Sequence, residues 1–166
     1  MARYGEVPTD NKTLLAEFKA KKAGLYQFKL YPQLWSKNDL STYYAGRTWN
    51  EVSFKAPPPP LPAASGIYMF VVGPYCGGLR DHSYIFYIGK ATNLRKCFAE
   101  YLVEKAGGGP NPREQIMLFL NEFSGYLYFH YTLVPKNELT KAEALLKDNL
   151  TPVANTQLEL IGRLTE

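Results

Sequence analysis

Cysteine is scarce in this chain: Cys76 and Cys97 are the only two among 166 residues, and they form no C-x-x-C pair. That excludes a disulfide framework and a thiolate metal site, and it suits a reducing cytoplasm. Histidine is just as rare, and His82 and His130 read as a loop residue and a sheet residue rather than as catalysts. The opening stretch MARYGEVPTDNKTLLAEF has no signal-peptide character, and no apolar run is long enough to cross a bilayer. These absences lead to the expectation of a soluble, intracellular protein without a membrane partner.

Aromatic residues, by contrast, are plentiful, at 14% with 13 Tyr and 9 Phe, so both core filling and phenol chemistry are within reach. A net charge of +4 is compatible with a polyanionic partner, because Lys and Arg release counterions when they meet phosphates. The length suits one domain with a real core, or a small core domain plus an extension.

Along the chain, Thr9 and Asp10 can cap a helix carrying Leu14, Leu15 and Phe18, which Gly24 stops. The stretch Leu25 to Tyr31 alternates like a half-buried strand, and Thr48 to Phe54 does so more weakly. APPPPLPAAS, Ala56 to Ser65, can be neither helix nor central strand, because proline lacks the N–H and fixes φ. It reads as a stiff connector over 57–65 between an N-terminal extension, 1–56, and a main unit, 66–166. In the main unit, strands at Ile67 to Val72 and Tyr84 to Ile88 form a hairpin with a long loop, in which Arg80 is a candidate DNA contact. Helices are expected over Asn93 to Ala106 and Glu114 to Phe123, then a strand in GYLYFHYTLVP. A last helix starts near Thr140, where Thr140 and Glu143 have the spacing of a capping box. The order is β, β, α, α, β, α.

Three separate features then coincide. The hairpin strands carry near-identical triplets, Gly66-Ile67-Tyr68 and Tyr87-Ile88-Gly89; the second runs on into Lys90-Ala91-Thr92-Asn93-Leu94-Arg95-Lys96; and Glu143 leads into Leu150, Pro152 and Asn155. Together they resemble the GIY-YIG nuclease superfamily. The resemblance implies an α+β fold with a small antiparallel three-stranded sheet flanked by helices, preceded here by the extension. It also implies phosphodiester hydrolysis on double-stranded DNA, of the restriction or repair kind. Such chemistry needs an activated water, a Lewis acid and cations where negative charge grows. On the resemblance, Tyr87 activates the water, Tyr68 orients it, Lys90 gives electrostatic support, and Glu143 is the single protein ligand of Mg²⁺ or Mn²⁺. Tyr101 and Asn155 complete the motif positions, and Lys90, Arg95, Lys96 and Arg113 are the candidate DNA contacts.

One position departs from the pattern. The superfamily generally places an arginine ten residues after the tyrosine of the second triplet, and here that residue is Cys97. A thiol cannot replace a guanidinium fork against phosphate oxygens, and losing such a cation costs on the order of 10³-fold in rate. The substitution therefore reads as a substrate trap, as a degenerate member kept for binding, or as a variant served by another cation such as Arg95 or Arg113. The extension, with Arg47, Trp35 and Trp49, is expected to contact DNA, to form a homodimer interface or to pack on the core. The alternative function is a non-catalytic module on the same fold, binding nucleic acid or protein.

Overall fold

The computed structural model describes residues 46–73, 83–109 and 113–155. The expected helix beginning near Lys12, the expected strand from Leu25 to Tyr31, Trp35, Cys76, Arg80 and His82 lie outside the described residues. The elements are β1 (Asn50–Ser53), β2 (Gly66–Val72), β3 (Tyr84–Ala91), α1 (Leu94–Lys105), α2 (Glu114–Glu122), β4 (Leu127–Leu133) and α3 (Leu139–Leu150). They form an α+β unit whose antiparallel sheet has the order β1-β4-β2-β3.

The expected order of elements from Gly66 onward is present, but among the described residues the sheet has four strands rather than three. Asn50 to Ser53 pairs with β4, Asn50 facing Tyr131 and Ser53 facing Tyr128. The next residue explains why this segment is held: Phe54 is buried, with its ring 5.2 Å from Phe70 and 5.0 Å from Phe98. The end of the extension is thus part of the sheet and the core. Arg47 donates to the Leu133 carbonyl and pairs with Glu138 at 3.1 Å, which commits it to the fold.

The proline-rich connector is also docked. Leu61 is buried, its carbonyl accepts from Arg95 Nε at 2.7 Å, and the Pro62 and Ala64 carbonyls accept from the backbone N–H groups of Arg95 and Leu94. Asn93 caps the same helix by accepting from the Lys96 N–H. The first-turn donors of α1 are therefore satisfied within the protein.

β2 is apolar on both faces because both are covered. One face, with Tyr68 and Phe70 joined by Phe129 of β4, packs against Leu94, Phe98 and Tyr101 of α1 and Ile116, Phe119 and Leu120 of α2. The other, with Ile67, Met69, Val71 and Ile88, packs against Leu139, Ala142 and Leu146 of α3. A register shift after Phe70 leaves Phe86 as the extra residue of β3. Such a bulge lets Phe86 and Tyr87, neighbours in sequence, both join the first layer, where Phe86 stacks on Phe119 at 3.5 Å.

The two motif glycines mark places where strand and side chain approach too closely for a Cβ. On Gly66 it would run into the Thr132 carbonyl and Leu94; on Gly89 it would run into the ring and hydroxyl of Tyr68, the residue paired with it across the strands. Gly89→Ala should therefore displace Tyr68 and destabilise the chain by about 1–3 kcal/mol, the usual cost of overpacking. Urea unfolding should show a lower midpoint at an unchanged slope.

Candidate active site

The first group of motif residues lies between the sheet and α1. Tyr68 is 4% exposed and Tyr101 3%, and their hydroxyls share a hydrogen bond of 2.8 Å. Tyr87 is half-buried, with its ring 6.2 Å from that of Tyr68. Burial pushes the Tyr68 phenol well above the ordinary tyrosine range, and Tyr101, Cys97 and Tyr87 add to the shift. Burial likewise raises Tyr101. Both phenols are therefore held protonated at neutral pH, and neither is a base there. Tyr87 is the phenol of the three with access to solvent.

Cys97 lies one helical turn before Tyr101, partly buried against the same cluster and in the reduced form. Burial raises its thiol from an ordinary value of 9.0 to about 11, against a lowering contribution from the Tyr68 hydroxyl. Its neighbours include one long cation from another element. Arg113, the N-cap residue of α2, places its guanidinium 5.1 Å from the centre of the Tyr101 ring and makes a two-point contact with Glu104 at 2.9 and 2.8 Å. Glu104 above all keeps Arg113 charged. This charge also reaches Cys97 and favours its thiolate, although burial outweighs it.

The second group lies at the other face of the sheet. Lys90 pairs across the strands with Ile67, which belongs to the α3 layer. Its ammonium is 3.0 Å from Glu143 Oε2 and donates to the Thr140 hydroxyl at 3.1 Å. Lys147, one turn after Glu143, is 3.0 Å from Oε1. The expected capping box is not formed: α3 starts at Leu139 with Glu138 as N-cap and no side-chain capping bond. Thr140 and Glu143 therefore fall inside the helix, on one face, and both turn to Lys90. Asn155 is buried, accepting from the Ile88 N–H at 2.8 Å and donating to the Ile88 carbonyl at 3.0 Å. It works as a substitute strand on the outer edge of β3. Thr151, just before Pro152, turns the chain towards Asn155 with φ of 42°, a strained value for a β-branched residue.

The sequence motifs thus come together as two sets: Tyr68, Tyr87, Cys97 and Tyr101 on one face, and Lys90 and Glu143 on the other. Among the described residues no hydrogen bond or ion pair links the sets. One member of each, Cys97 and Lys90, lines an open cleft of about 490 Å³ at the end of β3, together with Asn93, Lys96, Lys136 and Thr140. Three of those side chains are cationic, and Glu100 is the one carboxylate. Lys96 is well exposed, with only a 3.8 Å contact to Glu100. Arg95 instead uses its Nε on the connector. His130 faces Glu51 across β1 and β4, and burial lowers its pKa, which favours the neutral ring.

Among the described residues no three His, Cys, Asp or Glu side chains converge. A single carboxylate does not fit an ion held by protein alone, but it fits a Mg²⁺ that takes its remaining ligands from water and substrate. Sequence reasoning missed Lys136 and Lys147. The Glu-to-Lys spacing of i,i+4 at Glu143 was a readable signal for Lys147; nothing in the local pattern pointed to Lys136.

Because folding favours the neutral thiol, the stabilisation from Cys97 is complete below about pH 9 and is lost as pH rises towards about 11. In a Cys76→Ser background, iodoacetamide at pH 8 should alkylate Cys97 roughly 100-fold more slowly than a free cysteine peptide, and the rate should still be climbing at pH 10. A plateau near pH 8 would mean that the thiol is not held in this environment. Comparison of the chain with protein-family models and with curated protein sequences finds no match.

Proposed function

We propose that this chain is a metal-dependent DNA endonuclease of the GIY-YIG kind, acting on double-stranded DNA and impaired at Cys97. The observation that carries the reading is the basic cleft, which has Lys90, Lys96 and Lys136 around Cys97; Cys97 packs on the tyrosine cluster, and Lys90 pairs with Glu143. Phosphate oxygens of the DNA backbone suit such a cleft, and the three ammonium groups hold the strand without reading its sequence. Tyr87, the phenol with access to solvent, relays the proton: its oxygen accepts from the attacking water as its own O–H proton passes to solvent. Tyr68 acts through its neighbours: its bond to Tyr101 and its contact with Tyr87 fix where the reactive phenol sits. Glu143 would hold the Mg²⁺, which when bound polarises the phosphate and acidifies a water. Lys90 belongs to both the cleft and the carboxylate, so it links substrate binding to that site.

What is lacking is a guanidinium at position 97 of α1, opposite the developing charge. Cys97 lines the cleft, so an arginine there would extend into it. Plasmid cleavage with Mg²⁺ should rise by about two or more orders of magnitude in Cys97→Arg, and Cys97→Ala should stay at the level of the original chain. If the two variants behave alike, the role given to position 97 is wrong.

A second reading, a nucleic-acid-binding module without catalysis, is favoured by one observation: both oxygens of Glu143 are already paired with lysines. It predicts that Cys97→Arg does not cut. Both readings require duplex DNA to bind with a slope of log affinity against log salt of about −3, from three phosphate contacts. Binding that is insensitive to salt would count against the cleft in either form.

A further inference from the structure

Glu143 is only 15% exposed, and each of its oxygens faces an ammonium: Lys90 Nζ is 3.0 Å from Oε2 and Lys147 Nζ 3.0 Å from Oε1. The two lysines are held differently. Lys147 reaches Glu143 from the next turn of α3, as an i,i+4 partner. Lys90 comes from β3, is anchored also by the Thr140 hydroxyl, and lines the basic cleft. On the other side of Thr140 lies a second open cleft of about 480 Å³, whose lining includes Glu143, Lys147, Asp148, Thr151 and Asn155. The carboxylate therefore lines the second cleft beside Lys147 and is tied to the basic cleft through Lys90.

We propose that Lys147 and Lys90 compete with a divalent ion for the Glu143 carboxylate, so that the ion is accepted only as DNA phosphate draws Lys90 out of its pair. The proposal rests on the nuclease reading of Glu143 given above. A divalent ion at either oxygen would meet a positive charge already bound to that oxygen, and repulsion between like charges in a half-buried site is strong. Duplex phosphate removes the obstacle from the outside. It offers Lys90 an anionic partner within the cleft this lysine already lines, and it supplies oxygen ligands that a single carboxylate cannot. Metal and DNA then bind cooperatively, each raising affinity for the other by the same factor. Without DNA the chain stays metal-poor, and the two lysines leave Glu143 no uncompensated charge.

The test reads Mn²⁺ binding to the full chain without DNA, from the electron paramagnetic resonance signal of the free ion. Lys147→Met should bind Mn²⁺ about 5-fold or more tightly than the original chain, within the usual range of coupling between sites. Lys147→Arg, which keeps the charge, should not. Circular dichroism melting confirms that each variant is folded. Glu143→Gln in the Lys147→Met background should abolish the gain. If Lys147→Met binds no better than the original chain while Glu143→Gln weakens binding, the competition is wrong and Glu143 remains the ligand. If Glu143→Gln changes nothing in either background, the assignment of the metal to Glu143 fails, and this proposal fails with it. Independently, Mn²⁺ should tighten duplex binding, read by fluorescence anisotropy at constant ionic strength, and the gain should be smaller in Lys147→Met. An equal gain in both chains overturns the role of Lys147.

Discussion

The packing of Tyr68 over Gly89 is the contact on which the candidate site depends. The two residues face each other across β2 and β3, and the ring occupies the space that any side chain on Gly89 would need. Because it lies so low on the sheet, its hydroxyl reaches Tyr101 and is buried there. That one hydrogen bond joins the sheet to α1, and α1 carries Cys97 one turn earlier. Burial of the pair keeps both phenols protonated and leaves the half-buried Tyr87 as the member of the cluster with access to solvent. Geometry and protonation thus have one cause, the closeness permitted by a missing Cβ.

The edge strand β3 is the second organising feature. Among the described residues it has only β2 as a strand neighbour, and Asn155 satisfies both backbone groups of Ile88 on its outer side. A buried, unpaired N–H or C=O there would be costly, so the motif asparagine has a clear structural duty beside any chemical one. Adjacent residues of β3 serve different layers: Tyr87 belongs to the aromatic layer under α1, Ile88 and Lys90 to the layer under α3. One strand therefore delivers a phenol to one face and a cation to the other. At its end the basic cleft opens, lined by Lys90 and by Cys97 of α1.

Charge in this region is mostly paired. Glu143 is held by two lysines, and Arg113 is held by Glu104 while its guanidinium lies over the Tyr101 ring. Arg113 is a guanidinium whose charge reaches Cys97, but it arrives from α2 and is already partnered. Lys96 and Lys136, which line the cleft, are less constrained. A polyanion entering it would compete with Glu143 for Lys90.

The sequence by itself determined the elements from Gly66 onward, because their signals are local: alternation in β4, the helical spacing of Leu94, Phe98 and Tyr101, and Asn93 at a helix start. It also singled out the residues that cluster, since the triplets and Glu143 are motifs that can be read without a fold. Tertiary structure decided the rest. The fourth strand was weakly marked in sequence, because a short, exposed edge strand is selected by its partner β4 and by burial of Phe54 rather than by its own pattern. The bulge at Phe86 set two neighbouring aromatics on one face against simple alternation. Thr140 and Glu143 matched a capping box, yet the helix began earlier and both turned to Lys90, a choice made by a charge on a distant strand. Whether a carboxylate is free, capping or paired depends on what the fold brings within about 3 Å of it, the range of a charged hydrogen bond, and local sequence does not contain that information.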